Sequence, residues 1–366
     1  MKTLLLTGWT WYIGSHCTLL LLQQGYNIII LDNLSNSSQD SIEKIQQISN
    51  KNVTFYQWDI RDRDILKKIF QENTIDTVLH FAGLKAVGAS CTQPFEYYDN
   101  NIGWTMTLCE IMDEYWVKNI IFSSSATVYD PQQISPFTEE TLTWNTTNPY
   151  GTTKFIIENI FRDLAHHKGF RVWNLRYFNP VWAHSSGLIW EDPDNIPNNL
   201  LPYIMKVAVW ELSELSVFGK DYDTPDGTGV RDYIHVMDLA QGHIAALKWL
   251  EWNTPPPAIA GIPLDEGGQK ASFLDGDDQS SEGAWVFESF NLGTGKGTSV
   301  FEMIRYTEAI AWMKIPYKIG ERRSGDIATA YCSSSKAEKI LGWKAEKTVQ
   351  EAIADSWNFI QTKQWN

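Results

Sequence analysis

Through its first half the chain alternates short apolar runs with amphipathic segments, and few folds accept that rhythm. The runs Thr3–Thr7, Asn27–Leu31, Val53–Trp58, Thr77–Phe81, Asn119–Ser123 and Val172–Tyr177 are brief, mostly rich in Val, Ile, Leu and Phe, and do not alternate cleanly with polar residues. Such runs suit strands covered on both faces. Between them lie Ser15–Gln24, Ser41–Ile48, Arg63–Glu72, Asn101–Glu114 and Gly151–His167, each patterned as a helix. Strand–helix alternation at this pitch predicts an α/β fold with a doubly wound, Rossmann-like parallel sheet over residues 1–181. From Trp182 onward Pro, Asn, Asp and Gly become frequent, so 182–366 reads mainly as a smaller α/β substrate-binding region. It holds one clear helical pattern, Val236–Leu250. The polar stretch that follows makes 251–288 a surface insertion.

Charge narrows the partners. The 366 residues carry a net charge of −14, with 20% charged and 43% hydrophobic residues. That composition is ordinary for a globular chain, and its mean field repels phosphate polymers and anionic lipid. No nucleic acid and no membrane are therefore expected as partners. The apolar start Leu4-Leu5-Leu6 is cut off by Thr7-Gly8, too soon for a signal peptide. Cys17, Cys91, Cys109 and Cys332 show neither metal-ligand spacing nor a disulfide framework, which suits a reduced, cytoplasmic setting and no metal.

The segment from Leu6 to His16 joins the first strand to the first helix, where a dinucleotide fold keeps its glycine-rich turn. There backbone N–H groups and the helix N-terminus face a pyrophosphate. Gly8 and Gly14 fit G-x-x-G-x-x-G, but the middle position is Trp11, and Trp9 stands where a further glycine is common. Asp32 closes the second strand and is followed by Asn33-Leu34-Ser35-Asn36 without Lys or Arg. A carboxylate there suits the ribose hydroxyl of NAD and repels the extra phosphate of NADP. Asp59-Ile60 and Phe81-Ala82-Gly83-Leu84-Lys85 end the third and fourth strands, at the edge where doubly wound sheets bind ligands.

Tyr150-Gly151-Thr152-Thr153-Lys154 is a Tyr-x-x-x-Lys element opening a helix. The spacing puts phenol and ammonium on one face, and a nearby cation is expected to lower the phenol's pKa toward neutrality. Upstream, Ser123-Ser124-Ser125-Ala126-Thr127 ends the fifth strand, and one hydroxyl of this group can reach a substrate oxygen beside the tyrosine.

With these residues in place, the chain resembles the extended short-chain dehydrogenase/reductase family, and within it the UDP-glucose 4-epimerases. The resemblance runs through Tyr12-Ile13-Gly14-Ser15-His16, Leu31-Asp32-Asn33-Leu34, His80 to Val87, Tyr97 to Asn101, Ser123 to Tyr129 and Asn148-Pro149-Tyr150-Gly151. It continues through Leu175 to Pro180, Ile196 to Leu200, Asp226 to Val236, Asn291 to Gly295 and Arg322 to Asp326, leaving out only about Glu251–Glu288. It implies an NAD-dependent isomerase of galactose metabolism that inverts C4 of a UDP-hexose through a transient 4-keto sugar. Tyr150 is then the base, Ser125 binds the reacting oxygen, and Lys154 holds the cofactor ribose. Gly8, Tyr12, Ile13, Gly14, Asp32, Asn33, Asp59, Ile60, Phe81, Ala82, Gly83, Lys85, Asn100, Ser123 and Phe178 fall at cofactor positions, with Tyr150 and Lys154. Lys85, Asn179, Asn199, Leu200, Phe218, Arg231, Arg323 and Asp326 fall at UDP-sugar positions, with Ser125 and Tyr150. The resemblance also implies a homodimer. Ala330 occupies a place filled by a large aromatic in some members, so a UDP-N-acetylhexosamine is an alternative substrate. A dehydratase on the same scaffold needs an acidic pair beside Thr127, which Ala126-Thr127-Val128 does not offer.

Seventeen tryptophans is several-fold above expectation. Trp9, Trp11, Trp58, Trp104, Trp116, Trp144, Trp182, Trp190, Trp210 and Trp312 stand where the family pattern usually has glycine. An indole where φ is positive or a phosphate approaches is a severe steric conflict. The codon UGA, read as Trp or as Gly in different codes, differs from the glycine codon GGA at one base. The sequence thus predicts glycine at those ten positions in the natural protein. If the indoles are native, it predicts a non-catalytic relative.

Overall fold

Leu4, Leu5 and Leu6 are wholly buried in the computed structural model, and they point alternately to opposite faces of the strand they share. Leu4 and Leu6 join one apolar core, and Leu5 joins the other. That division explains why the strands read as continuous apolar runs: helices cover both faces of the sheet. The structure describes residues 1–8, 12–35, 40–181, 186, 188–189, 199–252, 286–323 and 325–365.

The strands are β1 (Thr3–Thr7), β2 (Asn27–Asp32), β3 (Thr54–Gln57), β4 (Thr77–His80), β5 (Asn119–Ser125) and β6 (Arg171–Tyr177), then β7 (Asn179–Val181), β8 (Leu215–Phe218), β9 (Val230–Arg231), β10 (Tyr233–His235) and β11 (Val286–Leu292). Helices α1 (Tyr12–Gln23), α2 (Asp40–Ser49), α3 (Arg63–Glu72), α4 (Val87–Thr92), α5 (Pro94–Tyr97), α6 (Trp104–Glu114), α7 (Pro149–Lys168), α8 (Leu200–Ala208) and α9 (Val236–Trp252) are interleaved with them. The main sheet has seven strands in the order β11-β6-β5-β4-β1-β2-β3, and every pairing in it is parallel. Strand order reverses between β1 and β4, the switch point at which such sheets open a cleft.

The expected α/β doubly wound sheet is present, with small differences at its edges. β5 runs two residues further than expected, to Ser125, and α1 starts three residues earlier, at Tyr12. The expected helix at Asn101 begins instead as a π-helical turn, Tyr98–Gly103, that leads into α6. The chain also returns to this sheet from beyond residue 181. β11 pairs along the whole of β6, and α9 packs its apolar face into the core that α1 and β1 share. β11 escapes the sequence pattern because Glu288, Ser289 and Asn291 interrupt its apolar run. The predicted insertion lies outside the described residues except at its ends, where Glu251 and Trp252 finish α9 and 286–288 begin β11.

Of the anomalous tryptophans, six lie among the described residues, and four of these have left-handed backbone: Trp116 at φ 60°, Trp144 at 117°, Trp210 at 63° and Trp312 at 55°. All four are strongly exposed, from 71% for Trp210 to 93% for Trp312. Trp312 is the residue after helix Val300–Ala311, and its N–H closes the helix on the Glu308 carbonyl. Glycine is the usual residue at that position because it has no Cβ to clash. Trp312→Gly is expected to stabilise the fold by about 1 kcal/mol, since a left-handed L-residue costs roughly that much. Chemical denaturation at neutral pH checks this, and an equal or lower midpoint for the variant counts against it.

Candidate functional site

The carboxyl ends of β1, β4, β5 and β6 open into one cleft of about 310 Å³ at the switch point. Its tightest element is the turn after β1. Gly8 has φ +68°, and its N–H donates to the Leu31 carbonyl at 3.0 Å. A Cβ on Gly8 would stand 2.2 Å from Ala82 Cα, so only glycine lets β1 and β4 close here. Tyr12, Ile13 and Gly14 form the first turn of α1 and line the cleft. Trp9 and Trp11 lie outside the described residues.

At the far end Asp32 finishes β2. One of its carboxylate oxygens accepts the Leu34 N–H at 2.8 Å. Asn33 reaches back to Asp59 at 3.1 Å. Asp59 itself does not line the cleft. Arg61 grips it with two N–H donors at 2.8 and 2.9 Å and holds its carboxyl down to about 2. Its place is therefore behind Asn33, as a brace. Ile60 does line the cleft.

From β4 come Phe81, Ala82, Gly83 and Lys85. His80, just before them, ties three elements together, with Thr7 on β1 at 2.7 Å and Thr105 on α6 at 2.8 Å. Burial pulls its imidazole down to about 3, so it stays neutral. Asn100 is buried in the π-helical turn, donates to the Glu96 carbonyl at 2.7 Å, and is not among the cleft residues. Its neighbour Asn101, which the sequence reading passed over, links this region to α7. It accepts the Leu84 N–H at 2.7 Å and donates to Thr153 at 3.0 Å.

The cleft floor is built where α7 meets the end of β5. Asn148 caps α7 by accepting the Gly151 N–H at 2.9 Å, and Pro149 takes the first helical position. A Cβ on Gly151 would meet the Thr127 carbonyl at 2.7 Å. The missing side chain lets the helix start press on the strand end. Tyr150 is thereby brought beside Ser125, whose hydroxyl favours the phenolate. Lys154 donates to the Ser123 carbonyl at 2.7 Å and lies 5.8 Å from the Tyr150 ring centre.

The expectation that Tyr150 is shifted toward neutrality needs correction. Burial pushes its pKa up to about 12, against the lowering by Ser125, and Tyr97 adds to the rise. Burial also pulls Lys154 down to about 7, and only Glu158 opposes it. Desolvation disfavours both charged forms and is the largest cause of both shifts.

The UDP-sugar residues divide into two groups. Asn179, at the start of β7, and Asn199 line the cleft with Phe178. Leu200, Phe218, Arg231, Arg323 and Asp326 do not. Leu200 opens α8 and packs on the second-half core. Arg323 stacks on Phe218 with its guanidinium 3.9 Å from the ring centre, and Arg231 pairs with Asp326 at 3.5 Å. Cleft residues that the sequence reading missed include Trp58, Leu84, Val87, Trp104 and Tyr177. The signal for Tyr177 was present, since it immediately precedes Phe178.

The residues fit a bound dinucleotide. Gly8, Tyr12, Ile13 and Gly14 line the cleft where β1 gives way to α1, and the Asp32 carboxylate closes the far end without a cation beside it in sequence. Among the described residues no group of three or more His, Cys, Asp or Glu could hold a metal, and no helix is long and apolar enough to cross a membrane.

Comparison with known proteins gives a consistent result. The NAD dependent epimerase/dehydratase family matches residues 4–258. UDP-glucose 4-epimerase of Bacillus subtilis is 47% identical, covering 97% of this chain and 96% of the relative, and that of Haemophilus influenzae is 49% identical over like shares. A crystal structure of UDP-glucose 4-epimerase from Bifidobacterium longum in complex with NAD+ and UDP is 49% identical, with a TM-score of 0.86 over 100% of this chain and 99% of that one. The enzyme from Stenotrophomonas maltophila, with bound NAD and formylated UDP-arabinopyranose, is 40% identical with a TM-score of 0.88 over the same shares.

The lowered pKa of Lys154 has a consequence for stability. Between about 7 and the ordinary value of 10.5, the unfolded chain holds a proton on this lysine that the folded protein does not. Stability therefore rises with pH across that window, and below it the burial penalty is present in full. Lys154→Met is expected to be more stable than the parent by about 1–3 kcal/mol at pH 7, with the gap closing toward pH 10.5. Thermal melts across that range test it, and a gap that widens with pH refutes the assignment.

Proposed function

The chain belongs to the NAD dependent epimerase/dehydratase family, and from that premise we propose that it interconverts UDP-galactose and UDP-glucose. It is an NAD-dependent enzyme that inverts C4 of a UDP-hexose through a transient 4-keto sugar. The observation that carries the residue assignment is the meeting of Tyr150, Ser125 and Lys154 at the floor of the cleft.

What bound NAD supplies is a nicotinamide that accepts the C4 hydride and returns it to the opposite face of the sugar. The chain's own groups handle binding and the proton. Tyr150 takes the proton from the 4-hydroxyl and gives it back. Its elevated pKa leaves it protonated at rest, so it needs a cation close by to act as a base, and Lys154 supplies one while it keeps its proton. Ser125 directs its hydroxyl at the same oxygen. Thr127 holds that serine from behind by donating its N–H to Ser125 Oγ at 3.2 Å and its hydroxyl at 3.0 Å. Gly8, Tyr12, Ile13 and Gly14 bind the pyrophosphate, Asp32 and Asn33 the adenosine ribose, and Ile60, Phe81, Ala82, Gly83, Lys85 and Phe178 the rest of the cofactor. Asp59 and Asn100 act one step behind, through the loops they brace.

Asn179 and Asn199 contact the sugar nucleotide from the cleft wall. Arg231 and Arg323 bind its diphosphate, and Phe218 packs on uracil. Support for grouping these outlying residues comes from Tyr222, which lies in the field of Asp326, Arg322 and Arg231. They exchange their mutual pairings for the ligand when it binds. Residues 1–181 form the cofactor-binding part in this reading, and 182–366 contribute most of the substrate contacts.

The protein acts as a homodimer in the cytoplasm. Exposed Phe95 on α5 and Met106 on α6 support the first, and sedimentation as a monomer at micromolar concentration removes it. Four free cysteines, three of them buried, support the second, and recovery from an oxidising compartment in cell fractionation removes it.

Tyr150→Phe is expected to lower turnover of UDP-galactose by at least about 10³-fold, in line with loss of a positioned base, while leaving the melting point and NAD content unchanged. Full activity in that variant overturns the assigned base.

Ala330 favours a wider substrate range. It is half-buried and packs in the same cluster as Phe178, a cleft residue. Its single methyl leaves room for an N-acetyl group, so UDP-N-acetylglucosamine is expected to be turned over as well. Steady-state assays that find conversion of UDP-glucose alone remove this substrate.

A further inference from the structure

Along α7, Tyr150, Lys154 and Glu158 recur every four residues and so share one face. The proposed reaction uses the first two. Glu158 is only 4% exposed. One of its carboxylate oxygens accepts the Ser124 hydroxyl at 2.5 Å and Arg176 Nε at 3.0 Å, and the other accepts an Arg176 Nη at 2.7 Å. Ser124 and Arg176 are register partners on β5 and β6. A single carboxylate thus holds two strands at the level of the reacting groups. Ser124 lies between Ser123, whose carbonyl takes Lys154, and Ser125, which meets Tyr150. Arg176 continues the network to the Tyr129 hydroxyl at 3.1 Å, and Tyr129 donates to Asn291 at 2.6 Å.

We propose that Glu158 is a positioning residue: by gripping Ser124 and Arg176 it holds the end of β5 against α7, so that Ser125, Tyr150 and Lys154 keep their spacing. The inference rests on the proposed roles of those three residues. It also has an electrostatic side. The groups facing Lys154 are Tyr150 and Glu158 on α7, the Ser123 carbonyl and the Phe122 ring on β5, and His80 on β4. His80 is neutral, and Glu158 is the group that favours the ammonium.

The test compares Ser124→Ala, which cuts the strand tie without unbalancing the buried charges, with Glu158→Gln, which keeps the shape and removes the charge. Both are expected to lower kcat at least about 10-fold with KM nearly unchanged, as for groups that set geometry. Glu158→Gln is also expected to move the alkaline limb of the kcat profile to lower pH, because Lys154 then loses its proton sooner. Should Glu158→Gln not fold, Ser124→Ala decides by its kcat. Variants that lose only melting temperature, with parental kcat and an unmoved pH profile, show a merely structural role. Tyr150→Phe runs beside them: if it stays active, the reading of the site falls, and if it is inactive while the others match the parent, only the positioning role falls.

An independent observation carries a second inference. Trp116, Trp144, Trp210 and Trp312 combine a left-handed backbone with strong exposure. Neither property has a use for an indole: the conformation suits glycine, and the ring packs on no core. Trp58 is 53% exposed and lines the cleft, as does Trp104. Trp173 and Trp343, by contrast, are buried at 1% and 5%. The geometry points to a codon read as glycine, not tryptophan, at positions 116, 144, 210 and 312 in the cell that makes this protein, and the sequence pattern extends the same reading to 9, 11, 58, 104, 182 and 190. Peptide mass spectrometry of protein from its native host is expected to find glycine there and tryptophan at 173 and 343, and tryptophan at 116 or 312 overturns the inference. Recombinant protein with glycine at all ten positions is expected to melt roughly 5–10 °C higher than the tryptophan form and to retain NAD through purification. A lower melting point for the glycine form counts against it.

Discussion

The site depends on how closely the start of α7 can approach the end of β5. The Asn148 cap fixes where the helix begins, and Gly151 removes the one Cβ that would strike the Thr127 carbonyl. With that contact made, Tyr150 reaches Ser125, Lys154 reaches the Ser123 carbonyl, and Glu158 reaches Ser124. Three consecutive serines are thus engaged by three residues spaced one helical turn apart. The match works because a helix repeats a face every four residues while the strand end offers its backbone and both side-chain faces over three.

The same contact sets the electrostatics. Pressing α7 onto the sheet excludes water from Tyr150 and Lys154, which raises the phenol's pKa and lowers the ammonium's. Neither shift favours the charge separation that proton abstraction needs. The site thus holds its base and cation close together in a resting state that resists ionisation. Perturbed pairs of this kind concentrate at functional centres. His80 is the neutral counterpart: it is buried between Thr7 and Thr105 and joins β1, β4 and α6 without adding charge behind the cleft.

Much of this was legible in the residues. Strands buried on both faces leave continuous apolar runs, so six of the seven strands of the main sheet could be located to within two residues at each end. Tyr-x-x-x-Lys and the serines were legible because local spacing alone puts them on one face or at one strand end. β11 was not, because its polar residues are satisfied by tertiary contacts, such as the hydrogen bonds of Asn291 to Tyr129 and Phe137. Asp59 reads as a ligand residue by position, yet Arg61, two residues on, claims its carboxylate.

The sequence by itself determined the α/β class, the order of the strands along the chain, the glycine at Gly8 and the spacing of phenol and ammonium, since each follows from local periodicity or backbone sterics. Only the tertiary structure decided which strands become neighbours, that β11 and α9 return to complete the first sheet and its core, that Glu158 grips both β5 and β6, and that burial moves Tyr150 away from neutrality. Those outcomes depend on water exclusion and on contacts between residues far apart in the chain, such as Gly8 with Ala82 and Arg176 with Glu139. No local pattern encodes such contacts.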